Sequence, residues 1–152
     1  MFQTQVHAAK RTEKPLVIHL RGNAMVSTDA VYLEALAIVA NGLSRRHPIY
    51  LHCYTGSWDT YMAWTKRFSN LLLGFSSKST ETEDFQKVAR SVPFEKIALE
   101  SDAPHLSPFK QAGKNTPFFI HHQAGLIGRA RNVPTVVVLS GACQNVRRLF
   151  RI

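Results

Sequence analysis

Four short stretches of the chain are apolar at nearly every position, and they alternate with stretches in which apolar residues recur at helical spacing. Unbroken apolar runs of about four to eight residues are typical of strands that are covered on both faces. Recurrence every third or fourth residue is typical of helices with one buried face. The predicted strands are residues 15–20, 49–54, 71–76 and 96–100, with the sequences PLVIHL, IYLHCY, LLLGFS and KIALE.

The clearest helical pattern covers residues 29–42, behind Ser27 and Thr28, which are residue types that cap helix N-termini. Its apolar positions close to a 3.6-residue period are Val31, Leu33, Leu36, Val39 and Ala40. Further helices are predicted at residues 58–68, 83–91 and 117–131. Residues 134–139 (PTVVVL) place β-branched residues in a row, and local propensity alone predicts a strand there.

The serial order of strands and helices predicts a parallel α/β sheet. The strands end near residues 19, 52, 76 and 101, so successive units take 33, 24 and 25 residues. Units of this length are close to the roughly 30 residues of a βα repeat. A closed eight-unit barrel needs roughly 250 residues. A chain of 152 residues can supply about half of one.

Composition narrows the class of protein. With 45% hydrophobic and 19% charged residues, the chain suits one soluble globular domain spanning residues 1–152. Neither a membrane span nor a secretory signal is expected, since long apolar runs and an apolar leader are missing from the sequence. Two cysteines are too few for a disulfide scaffold, and a cytoplasmic or nuclear location is expected.

The charge balance favours a polyanionic partner. Nineteen Lys and Arg face ten Asp and Glu, giving a formal net charge of +9. Such an excess favours nucleic acid or an acidic surface. The basic residues are scattered in small clusters, as expected of solvated helix faces, and charge alone does not name the partner.

Metal-binding residue types follow three of the predicted strands. His19 and His52 end the first two strands, and Asp102 follows the fourth. Because the carboxyl ends of parallel strands share one face, these side chains can converge although they are far apart in sequence. Imidazole and carboxylate groups bind divalent ions such as zinc or manganese. Glu100 should lie on the side of Asp102 and support the site.

Several separated motifs together resemble the TatD family of metal-dependent deoxyribonucleases, which are metal-hydrolase TIM barrels. The motifs are KPLVIHLR around His19, LHCYTGS around His52, VPFEKIALESDAPHLSP around Asp102, KNTP at 114–117 and NVRRLF near the end. The resemblance covers the later half of the family barrel, about strands five to eight. It implies a helix over residues 140–150, against the local propensity.

The resemblance also implies a site and a reaction. His19, His52 and Asp102 would be metal ligands, and Asp102 would also orient or deprotonate the attacking water. Divalent ions (Mg²⁺, Mn²⁺ or Zn²⁺), usually two, would promote cleavage of phosphodiester bonds in DNA. Arg21 either contacts a substrate phosphate or forms a salt bridge at the barrel rim, and the sequence leaves both open.

The family's first His-x-His pair and its metal-bridging glutamate lie upstream of every matched motif. The chain is therefore expected to be a fragment of a working nuclease, a truncated product without catalysis, or a half that associates through exposed barrel edges. Two other functions stay open. One is a non-catalytic module that binds nucleic acid through its basic surface, and the other is a metal hydrolase acting on an ester or amide outside nucleic acid.

Overall fold

A parallel four-stranded sheet with helices between its strands forms the fold. The computed structural model describes residues 2–109 and 113–152. The strands are β1 (Leu16–His19), β2 (Ile49–His52), β3 (Leu71–Phe75) and β4 (Ile97–Leu99), and they lie in this order across the sheet. The helices are α1 (Phe2–Thr12), α2 (Thr28–Gly42), α3 (Trp58–Arg67), α4 (Phe85–Ser91), α5 (Ile120–Arg131) and α6 (Thr135–Phe150). All four predicted strands and the parallel α/β class are confirmed.

The two faces of the sheet enclose different cores. Odd-numbered residues of β2 and β3, such as Leu51 and Leu73, are fully buried in the main core beneath the helices. The opposite face forms a second, smaller cluster, which we call the inner face. Its buried members are Tyr50, Leu72, Ala98 and, from the end of α6, Leu149. Coverage on both faces explains the unbroken apolar character of β2 and β3.

Strand β1 departs from the expectation that every strand is covered on both faces. Its burial alternates, and Val17 is 51% exposed. By alternation, Val17 lies on the inner face of the sheet. Among the described residues, however, the strands that contribute to the inner-face cluster are β2, β3 and β4, and β1 contributes none. The edge strand therefore leaves its inner side open to solvent.

Helix α2 begins as predicted, but its buried face is different. Ser27 caps the helix, since its Oγ accepts a hydrogen bond from the Ala30 N–H at 3.2 Å. The buried residues are Tyr32, Ala35 and Val39, whereas Leu33 is 47% exposed. The predicted face was wrong at Leu33, because α2 is apolar over most of its surface and its neighbours decide which side is buried.

The strand predicted at residues 134–139 is wrong, because these residues open helix α6. Tertiary contacts override the local β propensity. Asn145, buried on α6, donates hydrogen bonds of 2.8 Å to the carbonyls of Phe94 and Ile97, which fixes the helix against β4. The helix implied over residues 140–150 by the family resemblance is confirmed.

The described residues contain no helix that is both long and apolar enough to cross a membrane.

Asp29 ties the start of α2 to the start of α3. Its Oδ1 accepts hydrogen bonds from the Ser57 N–H at 2.8 Å and from the Thr60 hydroxyl at 2.7 Å. Partial burial raises the pKa of Asp29, but these hydrogen bonds outweigh burial and leave the pKa below its ordinary value. Stabilisation by this carboxylate is therefore present above about pH 4 and is lost as the pH falls through the folded-state pKa.

We expect Asp29→Asn to lower the free energy of unfolding at neutral pH by about 0.5–1 kcal/mol, because a neutral acceptor binds these donors less strongly and solvent screens a partly exposed group. The variant should also lose less stability than the wild type between about pH 5 and pH 3. Urea unfolding at stepped pH measures both effects. Asp59→Asn, at an exposed position of α3, controls for the charge change at neutral pH. Equal acid dependence in wild type and Asp29→Asn would contradict the assignment.

Candidate functional site

The three predicted ligands meet at the carboxyl ends of the strands. His19 and His52 are register partners at the ends of β1 and β2, and their ring centroids are 4.9 Å apart. Asp102 follows β4, and its Oδ1 lies 3.4 Å from His52 Nε2. The parallel sheet thus gathers side chains that are 33 and 50 residues apart in sequence.

Glu100 holds the other side of the His52 ring. Its Oε1 lies 2.5 Å from His52 Nδ1, and its Oε2 accepts a 2.7 Å hydrogen bond from the Cys53 N–H. A carboxylate can only accept, so Nδ1 of His52 carries the proton and Nε2 faces Asp102. This carboxylate–histidine pairing is the arrangement that orients metal-ligating histidines. Glu100 therefore has the supporting position that the sequence predicted.

Tyr50 completes the Glu100 network, and sequence reasoning missed it. Its hydroxyl donates to Glu100 Oε1 at 2.5 Å. Gly74 lies on β3, between β2 and β4, and its lack of a side chain leaves space for this hydrogen bond. A Cβ at position 74 would overlap both the Glu100 carboxylate and the Tyr50 hydroxyl. Its position in the sequence could have identified it, because Tyr50 precedes His52 by two residues and so lies on the same face of the strand.

The two histidines have opposite electrostatic environments. The Glu100 hydrogen bond is the main reason that the pKa of His52 is raised above its ordinary value. Burial lowers the pKa of His19, and the charges of His52 and Arg21 lower it further. A lowered pKa favours the neutral imidazole, which is the form that binds metal.

Cys53 is part of the scaffold beside the site. It is 4% exposed, its Sγ lies 2.8 Å from Ser76 Oγ, and burial raises the pKa of its thiol. A thiol held in this protonated form is a poor nucleophile. Its backbone φ of 50° is unusual for a residue other than glycine, as is the 56° of Asp102. Such conformations are concentrated at functional sites, and here the turn at Cys53 aims its N–H at Glu100.

A cleft of about 630 Å³ opens beside His19. Arg21 lines it, as do Lys78 and the backbone around Gly22. Lys78 pairs with Glu81 at 2.7 Å, and both side chains are at least half exposed. The position of Arg21 leaves its substrate-binding role a prediction. Tyr61 and Trp64, by contrast, are buried in the main core.

The donor set at the strand ends fits part of a divalent-ion site. A spacing of about 3.4 Å is expected between two ligands that each lie about 2.1 Å from a tetrahedral ion. The 3.4 Å between His52 Nε2 and Asp102 Oδ1 fits this value. Across residues 2–109 and 113–152, however, no three His, Cys, Asp or Glu side chains are grouped so that they could hold a metal. The described residues thus supply a fitting pair with His19 beside it, which is part of a metal site.

The sequence model of a family described as TatD related DNase matches residues 1–151. The chain belongs to the TatD family. Its pairing of His52 with Asp102 therefore lies within a TatD domain, at motifs whose order along the chain predicted the family.

Individual TatD-like proteins are similar to this chain over nearly all of it. The human 3'-5' RNA nuclease TATDN2 is 29% identical over 159 residues, which cover 100% of this chain and 20% of that protein. The metal-dependent hydrolase YabD of Bacillus subtilis, itself described as uncharacterized, is 27% identical over 100% of this chain and 57% of its own length.

Two crystal structures share the fold. An uncharacterized amidohydrolase from Saccharomyces cerevisiae superposes with a TM-score of 0.80 at 14% identity, covering 97% of this chain and 58% of that one. YJJV, a TatD homologue from Escherichia coli, gives 0.74 at 18% identity, with 97% and 54% covered. The chain thus spans about half the length of YabD and of both solved structures, and a fifth of TATDN2.

We expect Glu100→Gln to lower the free energy of unfolding by about 1–3 kcal/mol. The amide offers one acceptor oxygen where three donors need partners, so a part-buried donor is left unpaired. Chemical denaturation measures the loss, and the low-field proton resonance of His52 Nδ1–H should disappear. Glu95→Gln, at an exposed position, is the matched control. Equal stability of the two variants would refute the role of Glu100.

Proposed function

We propose that the TatD domain to which this chain belongs is a metal-dependent hydrolase of phosphodiester bonds in DNA. The observation that carries the proposal is the pairing of His52 Nε2 with Asp102 Oδ1 at 3.4 Å, while Glu100 holds the opposite ring nitrogen. A histidine fixed in this way presents its free nitrogen toward a carboxylate at the spacing of two metal ligands.

Each predicted residue has a role in this proposal. His19, His52 and Asp102 contribute ligands for divalent ions, two in the complete site. When bound, such ions would supply Lewis-acid activation of the phosphodiester and of the attacking water. Asp102 accepts a proton from the attacking water or orients it. Arg21 binds a phosphate oxygen in the cleft beside His19.

The chain's charge supports a nucleic-acid substrate. A net charge of +9 attracts a polyanion and speeds its association at low salt. The name of TATDN2 describes an RNA nuclease, so RNA is the necessary comparison substrate.

The decisive variant is Asp102→Asn. The assay measures divalent-metal-dependent cleavage of a DNA oligonucleotide by the protein translated from the longest in-frame transcript. We expect the variant to cleave at least tenfold more slowly, which corresponds to a loss of about 1.4 kcal/mol of transition-state stabilisation. Glu95→Gln, an exposed position just before the amino end of β4 and so at the opposite edge of the sheet, is the control and should retain full activity. A smaller loss in Asp102→Asn would count against the role of Asp102.

The same assay separates the other candidate functions. Salt-sensitive DNA binding that survives chelation and Asp102→Asn, without cleavage, would make the protein a binding module that uses its basic surface. Faster turnover of small esters or amides than of DNA or RNA would make the protein a hydrolase of a substrate outside nucleic acid. Either result would overturn the proposed nuclease.

We also propose that β1 to β4 correspond to strands five to eight of the TatD barrel. Four parallel strands and a chain spanning about half of YabD support this assignment. On this assignment, the remaining metal ligands belong to the other half of the barrel. The strand that would pair with β1 and cover its exposed inner side belongs there too. Association through barrel edges would supply such a partner.

Sequencing the transcript upstream of the Met1 codon tests the assignment. We expect an in-frame extension that encodes a strand ending in His-x-His and a later strand ending in glutamate. A stop codon directly upstream, together with a monomeric chain in sedimentation, would contradict the presence of the other half and leave the truncated product without catalysis.

A further inference from the structure

Cations lie at the amino ends of the strands, at the edge of the sheet opposite the candidate site. Lys96 directly precedes β4, and its Nζ donates to the carbonyl of Ser69, just before β3, at 2.8 Å. The Ser69 N–H donates in turn to the carbonyl of Arg45, in the loop before β2, at 2.9 Å. Arg45 Nη1 donates to the carbonyl of Lys66 at 2.8 Å. These contacts connect Arg45, Lys66 and Lys96 along one edge.

Arginines of α5 and α6 continue this row of cations. Arg148 Nη2 donates to the carbonyl of Glu95 at 2.8 Å, which places it beside Lys96. The guanidinium carbon of Arg131 lies 5.6 Å from the ring centroid of Phe94, the residue that precedes Glu95. We call the five cations of this edge the cationic edge, and its members are Arg45, Lys66, Lys96, Arg131 and Arg148.

The charge of the cationic edge is held in place but is not neutralised. Four of its five side chains donate to backbone carbonyls, which accept hydrogen bonds and carry no net charge. Within residues 2–109 and 113–152, the Lys or Arg side chain that pairs with a carboxylate is that of Lys78, on the loop after β3. Glu95 is exposed beside Lys96 and can offset one of the five charges. The edge therefore presents excess positive charge to a partner.

Helix α6 presents apolar side chains next to these cations. Val136 is 68% exposed and Val137 is 44% exposed, and both line one surface depression with Phe94, the ring beside Arg131. Neither valine belongs to the main core or to the inner-face cluster of the described residues. Valine is a weak helix former, and a valine in water gains little from folding. Cations at helix ends stabilise carbonyls, but this role does not explain the valines, which call for an apolar partner.

We propose that the cationic edge, together with Val136 and Val137, docks on an anionic lipid surface. The cations lie along an edge instead of converging on a cavity, since the cavity that Lys96 and Arg148 line measures only about 20 Å³. A bilayer with anionic headgroups presents charge over a broad plane and an apolar layer beneath it. A nucleic acid would match the charge but leave the valines in water, and a second copy would bring two cationic edges together.

Co-sedimentation of the 152-residue chain with phosphatidylcholine vesicles that contain about one-quarter phosphatidylserine tests the charge. We expect Lys66→Gln to weaken binding about fivefold, because one cation near an anionic membrane contributes about that factor. Lys66 is exposed, and its carbonyl still accepts from Arg45 in the variant. Lys114→Gln removes the same charge from the loop that Asn115 holds against Ser101, at the carboxyl edge, and should bind as the wild type does.

A variant that carries both Val136→Ser and Val137→Ser tests the apolar part. We expect it to bind these vesicles about tenfold more weakly, because two valines no longer enter the apolar layer. Leu33→Ser, at a position of α2 that is 47% exposed, is the control and should retain the affinity. Equal losses in Lys66→Gln and Lys114→Gln, or full binding by the valine variant, would overturn the proposal. Loss of self-association in the valine variant, with unchanged vesicle binding, would instead make this surface a contact between copies.

The proposal goes beyond the proposed function, because the cationic edge lies opposite His19, His52 and Asp102 and docking there leaves the cleft open. Vesicle binding is measured in EDTA and requires no hydrolysis, so its outcome is independent of the cleavage assay. An oligonucleotide that binds the wild type, weakens with Lys66→Gln and is indifferent to the valine variant, while vesicles do not bind, would assign the edge to nucleic acid and refute lipid docking.

Discussion

The Glu100 carboxylate is the interaction on which the site depends. Burial of a carboxylate is costly unless its oxygens accept hydrogen bonds. Here three donors from one stretch of chain, the Tyr50 hydroxyl, the His52 ring and the Cys53 backbone, converge on it across β3. This arrangement requires glycine at position 74, because any side chain there would overlap the Glu100 carboxylate and the Tyr50 hydroxyl. The orientation of His52 thus follows from the packing of three strands.

Sheet topology decides where chemistry can occur. Parallel strands carry their carboxyl ends to one edge, while α6 covers the inner face at Tyr50, Leu72 and Ala98. One end of the inner face is therefore apolar and closed, and the other carries His19 and His52 beside an open cleft. The open end is therefore where polar side chains of the strands meet solvent.

Continuous apolar runs predicted the strands, of which β2 and β3 are covered on both faces. Strand ends of a parallel sheet converge, so the sequence also predicted that His19, His52 and Asp102 lie close together, while their role as metal ligands stays a prediction. Sequence patterns failed where tertiary contacts decide the outcome. Residues 134–139 are helical because Asn145 anchors α6 to the carbonyls of Phe94 and Ile97.

The charge of the site itself argues for a cation between protein and substrate. Glu100 and Asp102 place two carboxylates at the strand ends, and a phosphodiester approaching them meets like charge. The raised pKa of His52 offsets only part of this charge, because its proton is committed to Glu100. Arg21 lines the cleft beside His19, and it is not among the contacts of the two carboxylates. A divalent ion beside His52 and Asp102 would reverse the local sign, so a basic chain with an acidic centre is suited to polyanion cleavage only when metal is bound.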